Sequence, residues 1–286
     1  MFEKLTNRFV FSGILTLDTG LHIGSGKSVL YTDSPVIKDF DGFPMIPGSS
    51  LKGVLRSRIE QLREAIGISS CTLFEKGSHP VCLSVANENL ENEFDTQREQ
   101  EKPEKIYKFV MNHLCDSCKL FGSTVLAARL HIEDSHLANT SLYPKNYIEV
   151  RDGVGIDRKT ETAADQAKYD YELVPKDTQF TFRLEIENFD ENAKSADWKI
   201  ITVGLLELIN GNIRLGGNTS KGLGKIYLDL QRIEMVRITD KTALVSYLQN
   251  RGLKDDDINC VNEENPKPEL KSPKTFLENK LNEIYA

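Results

Sequence analysis

No apolar run in the 286 residues approaches the ~20 that a membrane-spanning helix needs, so a soluble chain with no membrane partner is expected. The first residues, Met1-Phe2-Glu3-Lys4, lack the basic patch and continuous apolar stretch of a secretory signal, which makes cytoplasmic residence the expectation. Positive charge is also short: Lys and Arg number 36 against 43 Asp and Glu, a net charge of −7, which argues against a uniformly basic nucleic-acid-binding domain. That sum averages over segments that need not meet RNA, and Glu88 to Glu104 is strongly acidic with few apolar residues, as an exposed insertion would be. Cysteines are few, five in all. In a reducing compartment they point to a metal site before they point to disulfides.

What is present reads as strands and helices in an α+β order. Phe9 to Asp18 alternates apolar β-formers and predicts a first strand, ended by Thr19-Gly20. Gly24-Ser25-Gly26-Lys27-Ser28 is a flexible turn, Asp33 to Asp39 is a loop entering a short strand, and Asp41-Gly42 is a hairpin-turn signal. Leu51, Leu55, Ile59 and Leu62 then recur at helical spacing, with Ser49 or Ser50 placed to cap and with Lys52, Arg56 and Arg63 off the apolar stripe. Ser69 to Leu120 is irregular and holds four of the five cysteines, which reads as an insertion organised by metal. Leu126 to Glu133 predicts a strand, Ile148 to Leu173 a long hairpin or protruding arm, and Thr178 to Ile186 a strand with Phe180, Phe182, Leu184 and Ile186 on one face. Ile200 to Ile209 predicts an apolar helix, followed by a Gly-rich loop from Leu215 into a strand over Ile226 to Leu230. Beyond Asp255 the chain is polar and Pro-bearing, and is expected to be peripheral. The order suits a ferredoxin-like core with large insertions. The core domain is placed at 1–230, with the insertion at about 69–120, the arm at about 148–173 and a peripheral segment at 231–286.

Three groups of residues carry chemistry. Gly216, Gly217, Gly222 and Gly224 with Lys221 form a loop whose backbone can approach an anion, although a tight helix-to-strand connection would use the same residues. It is neither a Walker loop nor a dinucleotide fingerprint, because Lys221-Gly-Leu-Gly-Lys225 runs into β-prone residues rather than opening a helix. Cys115-x-x-Cys118 is half of a tetrahedral zinc site, and Cys71 and Cys82, with His79 as the alternative to Cys71, would supply the rest. Four protein ligands make such a site structural. Asp33 precedes Ser34-Pro35 and lies off any apolar stripe. Taken alone, it reads as a turn residue, just as His22 between Leu21 and Ile23 reads as a structural histidine.

Five segments taken together resemble a known family. They are His22-Ile-Gly-Ser-Gly26; Asp33-Ser-Pro-Val-Ile-Lys-Asp39 with Ile46-Pro-Gly-Ser-Ser-Leu-Lys-Gly53; Cys115-Asp-Ser-Cys-Lys-Leu-Phe-Gly-Ser123; Arg151-Asp-Gly-Val-Gly-Ile-Asp-Arg158; and Leu215-Gly-Gly-Asn-Thr-Ser-Lys-Gly-Leu-Gly224. In this order they closely resemble the RAMP superfamily backbone subunits, of Csm/Cmr type, in type III CRISPR-Cas effector complexes, over roughly Thr6 to Leu230. Csm-type and type III-D relatives both fit the pattern. The resemblance implies an RNA-recognition-motif-like palm that binds CRISPR RNA, stacks head to tail on copies of itself beside other effector subunits, and meets a target RNA paired with the guide. It implies that Ser49, Ser50, Lys52 and Arg56, with His22 and the loop of Gly216, Gly217, Lys221 and Gly222, hold the guide. The Arg151 to Leu173 arm, with Arg151 and Arg158, becomes the family's thumb. Asp33 matches the family's catalytic aspartate, acting as a base or as a ligand of Mg²⁺, with Lys38 and Lys52 near enough in sequence to neutralise phosphate. A non-catalytic guide-binding scaffold is the alternative. A guide-processing enzyme is disfavoured because no histidine-centred acid–base pair stands out.

Overall fold

The computed structural model describes residues 4–26, 32–72, 82–85, 88–140, 148–248 and 272–286. In chain order the strands and α-helices are β1 (Asn7–Leu17), α1 (Gly48–Ile66), α2 (Glu88–Gln100), α3 (Pro103–His113), α4 (Asp116–Phe121), β2 (Leu130–Ile132), β3 (Glu149–Ile156), β4 (Ala163–Leu173), β5 (Gln179–Glu187), α5 (Ala196–Ile209), β6 (Ile226–Arg237), α6 (Lys241–Leu248) and α7 (Pro273–Tyr285). β1 pairs antiparallel with both β5 and β6, and β2 adds to β5, giving the sheet order β2-β5-β1-β6. The pleat puts Phe9, Phe11, Leu15 and Leu17 of β1 and Phe180, Phe182, Leu184 and Ile186 of β5 into one apolar cluster with α1 and α5. These helices cross closely where Gly204 meets Leu55; a Cβ at Gly204 would lie 2.9 Å from that leucine's Cδ1. The result is a mixed α/β arrangement built on antiparallel strands, in which each of the two helix connections passes over one intervening strand.

Polar residues tie the layers together. Arg129, after α4, forks onto Asp197 in the first turn of α5 with both N–O distances 2.7 Å, and donates also to the carbonyls of Lys119 and Asn188. Both side chains are buried. Helix α5 is capped by Ser195, whose hydroxyl accepts from the Trp198 N–H.

Several expectations change. Neither Ser49 nor Ser50 caps α1: the helix starts at Gly48, and the Asp134 carboxylate takes the Gly48 N–H at 2.8 Å from across the sheet edge. The strand expected over 126–133 is confined to Leu130–Ile132, because Ser123 and Arg129 bond back to Leu126 and Leu120 and close a turn after α4. The region read as irregular is largely helical. Leu90 and Phe94 of α2 and Ile106, Phe109 and Val110 of α3 give each helix one apolar side, and these sides close over the cysteines as a second, smaller core. The segment expected to be peripheral contributes to the main core. β6 runs on to Arg237, and α7 buries Leu277 and Ile284, seven residues apart on one face, against that core. β3 and β4 form a separate two-stranded ribbon whose residues are mostly exposed. Among the described residues, no helix is long and apolar enough to cross a membrane.

Candidate functional site

The exposed Asp33 lies against the base of the β3–β4 arm. Its backbone N–H donates to Asp170 Oδ1 at 2.7 Å, and the Asp170 N–H donates back to Asp33 Oδ2 at 3.1 Å. The contact continues along the chain: Ser34 bridges Tyr171 in parallel, Glu172 N–H donates to the Ser34 carbonyl at 3.0 Å, and Val36 N–H donates to Glu172 Oε2 at 3.0 Å. Lys38 is held by the same buried carboxylate, at 3.2 Å. The loop carrying Asp33 is thus fastened to β4 residue by residue.

His22 sits beneath this seam, 8 % exposed. Its Nδ1 is 2.7 Å from the Glu172 carbonyl and its Nε2 is 3.2 Å from Ser34 Oγ. A carbonyl only accepts, so Nδ1 carries the proton; in the neutral ring Nε2 then accepts from the serine. The Gly-rich loop closes on the same residue. Gly217 N–H donates to the His22 carbonyl at 2.8 Å, and Gly216, at φ +79°, comes so near that a Cβ would lie 2.3 Å from that oxygen. Beyond it, Lys221 donates to the Tyr169 hydroxyl at 3.2 Å; Tyr169 stacks on Tyr171, and Tyr171 meets the His22 ring edge-on. Gly222, at φ +93°, ends the short 3₁₀ turn that carries Lys221. Lys27 lies outside the described residues.

The α1 residues form a second zone. Ser49 is exposed and Ser50 half-buried in the first turn. Lys52 donates to the Leu130 carbonyl at 3.1 Å, and burial, then the neighbouring Arg56 charge, push its pKa below the ordinary lysine value. Arg56 turns inward, reaching Glu60, the Gly122 carbonyl at 3.1 Å and Cys118 Sγ at 3.3 Å. Burial works against its charge, yet Glu60 and the Cys118 sulfur outweigh that and hold its pKa above the ordinary value. Arg151 is exposed on the arm and paired with Glu149 at 3.1 Å, and Arg158 is exposed at the turn between β3 and β4.

Cys71, Cys82, Cys115 and Cys118 are buried free cysteines with all four sulfurs within 4.8 Å of one another. Cys71 and Cys118 are 3.6 Å apart, close to the roughly 3.8 Å between sulfurs on a tetrahedral zinc with Zn–S near 2.3 Å. The group can therefore hold a metal such as zinc. Ser84 Oγ donates to Cys118 Sγ at 2.9 Å, and the backbone N–H groups of Cys71 and Cys115 donate to the sulfurs of Cys115 and Cys82. The Cys118 thiol is pulled down to about 7, first by its hydrogen bond with Cys115, a state suited to a thiolate ligand. His79, the alternative ligand, lies outside the described residues.

The description "RAMP superfamily" belongs to a family model that matches residues 14–227, a span that runs from within β1 to the start of β6 and takes in α1, the cysteine cluster, the arm and α5. The chain belongs to the RAMP superfamily. Relatives within reach of sequence comparison carry the name "CRISPR system Cms endoribonuclease Csm3". The Streptococcus thermophilus protein is 33 % identical over 232 residues, which are 76 % of this chain and 84 % of that one. The Methanocaldococcus jannaschii protein is 29 % identical over 238 residues, 78 % and 80 % of the two chains, and the Enterococcus italicus protein 28 % over 241, 78 % and 91 %. In this RAMP protein Asp33, His22, Gly216, Gly217 and Lys221 come together at the base of the arm. Ser49, Ser50, Lys52 and Arg56 stand apart on α1, and Arg151 and Arg158 stand out along the arm. The sequence reading missed Asp170 and Glu172, the two carboxylates that fix the Asp33 segment. They lie in Tyr169-Asp-Tyr-Glu172, inside the segment read as a long hairpin or protruding arm.

Proposed function

We propose that the chain is a CRISPR RNA-binding backbone subunit of a type III effector complex that cleaves guide-paired target RNA at regular intervals with Asp33. The observation that carries this reading is the convergence at the arm base: segments from both halves of the chain, one bearing an exposed carboxylate and another a Gly-rich loop with its lysine, are bonded to the same end of the arm. The endoribonuclease names of the relatives support it. In this reading the β2-β5-β1-β6 sheet with α1 and α5 is a ferredoxin-like, RNA-recognition-motif-like palm, the β3–β4 arm is the thumb that interrupts the guide–target duplex, and the four cysteines hold a structural zinc. The subunit stacks on copies of itself or on related RAMP subunits, beside the other effector subunits.

The guide is held by phosphate and sugar, so its sequence is not read. Gly222, with open space beside its Cα, lets backbone approach phosphate from a loop that Gly216 and Gly217 seat on the His22 carbonyl, Lys221 adds charge, Ser49, Arg151 and Arg158 are exposed donors, and Ser50 is a half-buried one. Lys52 and Arg56 already bond within the protein, and their share in guide binding runs through the α1 segment they brace. Cleavage needs little covalent help from the protein. The target's 2′-oxygen attacks the adjacent phosphorus as the 5′-oxygen of the next nucleotide leaves, giving a 2′,3′-cyclic phosphate and a 5′-hydroxyl. Splaying one nucleotide at the thumb supplies the in-line geometry, and Asp33 accepts the 2′-hydroxyl proton or carries a cation. An exposed carboxylate is the oxygen donor that Mg²⁺ takes, and Mg²⁺ there would offset charge on the phosphate oxygens.

The test is Asp33→Ala in the assembled complex. Cleavage should disappear at every spaced position, with guide loading and target affinity nearly unchanged and EDTA giving the same loss in the wild type. Normal cutting by the variant would leave the chain as a binding scaffold.

A further inference from the structure

Asp33 and Asp170 are 137 residues apart, and each donates its backbone N–H to the other's carboxylate. A loop aspartate usually settles its side chain on its own backbone two residues on. Here the acceptor for the Asp33 N–H and the donor to its carboxylate both come from one residue of β4. The Asp170 carboxyl is held below the usual carboxylate range, first by that Asp33 N–H, so it is ionised and accepting at neutral pH. The next three residues of the loop are fixed to the next two of β4 through Ser34, Val36 and Glu172.

We infer that Asp170 is the positioning residue for Asp33: its Oδ1 sets the backbone of residue 33, and its N–H selects the side-chain orientation that presents the Asp33 carboxylate to the substrate. This rests on Asp33 being the catalytic carboxylate. The role calls for an acceptor oxygen at residue 170, and negative charge there is incidental. Asparagine keeps that oxygen and the backbone N–H; alanine keeps only the N–H. A carboxylate that itself bound a catalytic cation would lose its function as asparagine. Because Asp170 belongs to the arm, Asp33 moves with the arm, so the geometry of cutting is tied to the element that parts the duplex.

The experiment compares wild type, Asp170→Ala, Asp170→Asn and Asp33→Ala as assembled complexes with a matched target RNA, measuring single-turnover cleavage and target affinity separately. Asp170→Ala should slow cleavage about 10- to 100-fold at all positions, the loss expected of a misplaced reacting group, with affinity little changed. Asp170→Asn should cut within about threefold of wild type. Amide exchange of residues 32–36 in the free chain gives a second readout that needs no assembly, faster in Asp170→Ala and unchanged in Asp170→Asn. Wild-type cleavage by Asp170→Ala beside a dead Asp33→Ala overturns the positioning role alone, as does unchanged exchange in Asp170→Ala. Equal defects in the two Asp170 variants would assign the charge itself a function and overturn it too. Normal cutting by Asp33→Ala removes the catalytic assignment, and this inference with it.

Discussion

Replacing Glu172 by alanine should loosen the segment that follows Asp33, and the structure gives the size of the effect. The carboxylate is buried, accepts the Val36 N–H at 3.0 Å and faces Lys38 at 3.2 Å. Without it, the N–H of Val36, itself 3 % exposed, has lost its acceptor, which costs about 1–3 kcal/mol. The Lys38 side chain is 34 % exposed and can turn to water, so its ion pair adds about 1 kcal/mol at most. The variant should therefore lose about 1–4 kcal/mol of folding stability. Glu172→Gln retains an oxygen for Val36 and gives up only the charge, and should lose about 1 kcal/mol or less. Urea unfolding of the free chain, followed by fluorescence and compared at constant slope, measures both. A loss below about 0.5 kcal/mol in Glu172→Ala, the ordinary range of a surface substitution, would show that the segment is not anchored there. A Gln variant as damaged as the Ala variant would shift the explanation from the hydrogen bond to the ion pair.

Asp197→Ala strands the buried Arg129 guanidinium and should cost about 3–5 kcal/mol, read from the same unfolding curves. Protein purified without chelator should contain about one zinc per chain by elemental analysis, bound by Cys71, Cys82, Cys115 and Cys118, and Cys115→Ala with Cys118→Ala should abolish it. Full zinc retention in that double variant, or no zinc in the wild type, would contradict the assignment.

The strands and helices of the sheet domain were legible because their periodicity is strong: Phe180, Phe182, Leu184 and Ile186 alternate into the core as read, and Leu51, Leu55 and Ile59 line the buried side of α1. The loop of Gly216, Gly217 and Gly222 was legible as a place of close approach, though not that the group approached is the His22 carbonyl. What escaped the sequence is long-range and polar. Asp134 caps α1 from 86 residues away, and Asp170 meets Asp33 from 137; local patterns carry no trace of either. Arg56 lies off the apolar stripe of α1 and so reads as a solvent-facing charge. It is enclosed because the cysteine-bearing insertion builds a wall against that side of the helix, which no periodicity within α1 can announce. Leu277 and Ile284 are spaced for burial, but the polar stretch before them hides the helix they belong to.

The central place of β1 has a consequence for synthesis of the chain. Its partners lie far downstream, Arg8 opposite Glu187 in β5 and Asn7 opposite Arg237 in β6. At ribosomal speeds of about 5–20 residues per second, the first strand therefore waits roughly 10–50 s before its second neighbour exists. For most of that interval, until β5 is made, Phe9, Val10, Phe11, Leu15 and Leu17 have no strand to pair with. The early chain is a natural client for holding chaperones, and its slow step should be the late insertion of an N-terminal strand between two C-terminal ones.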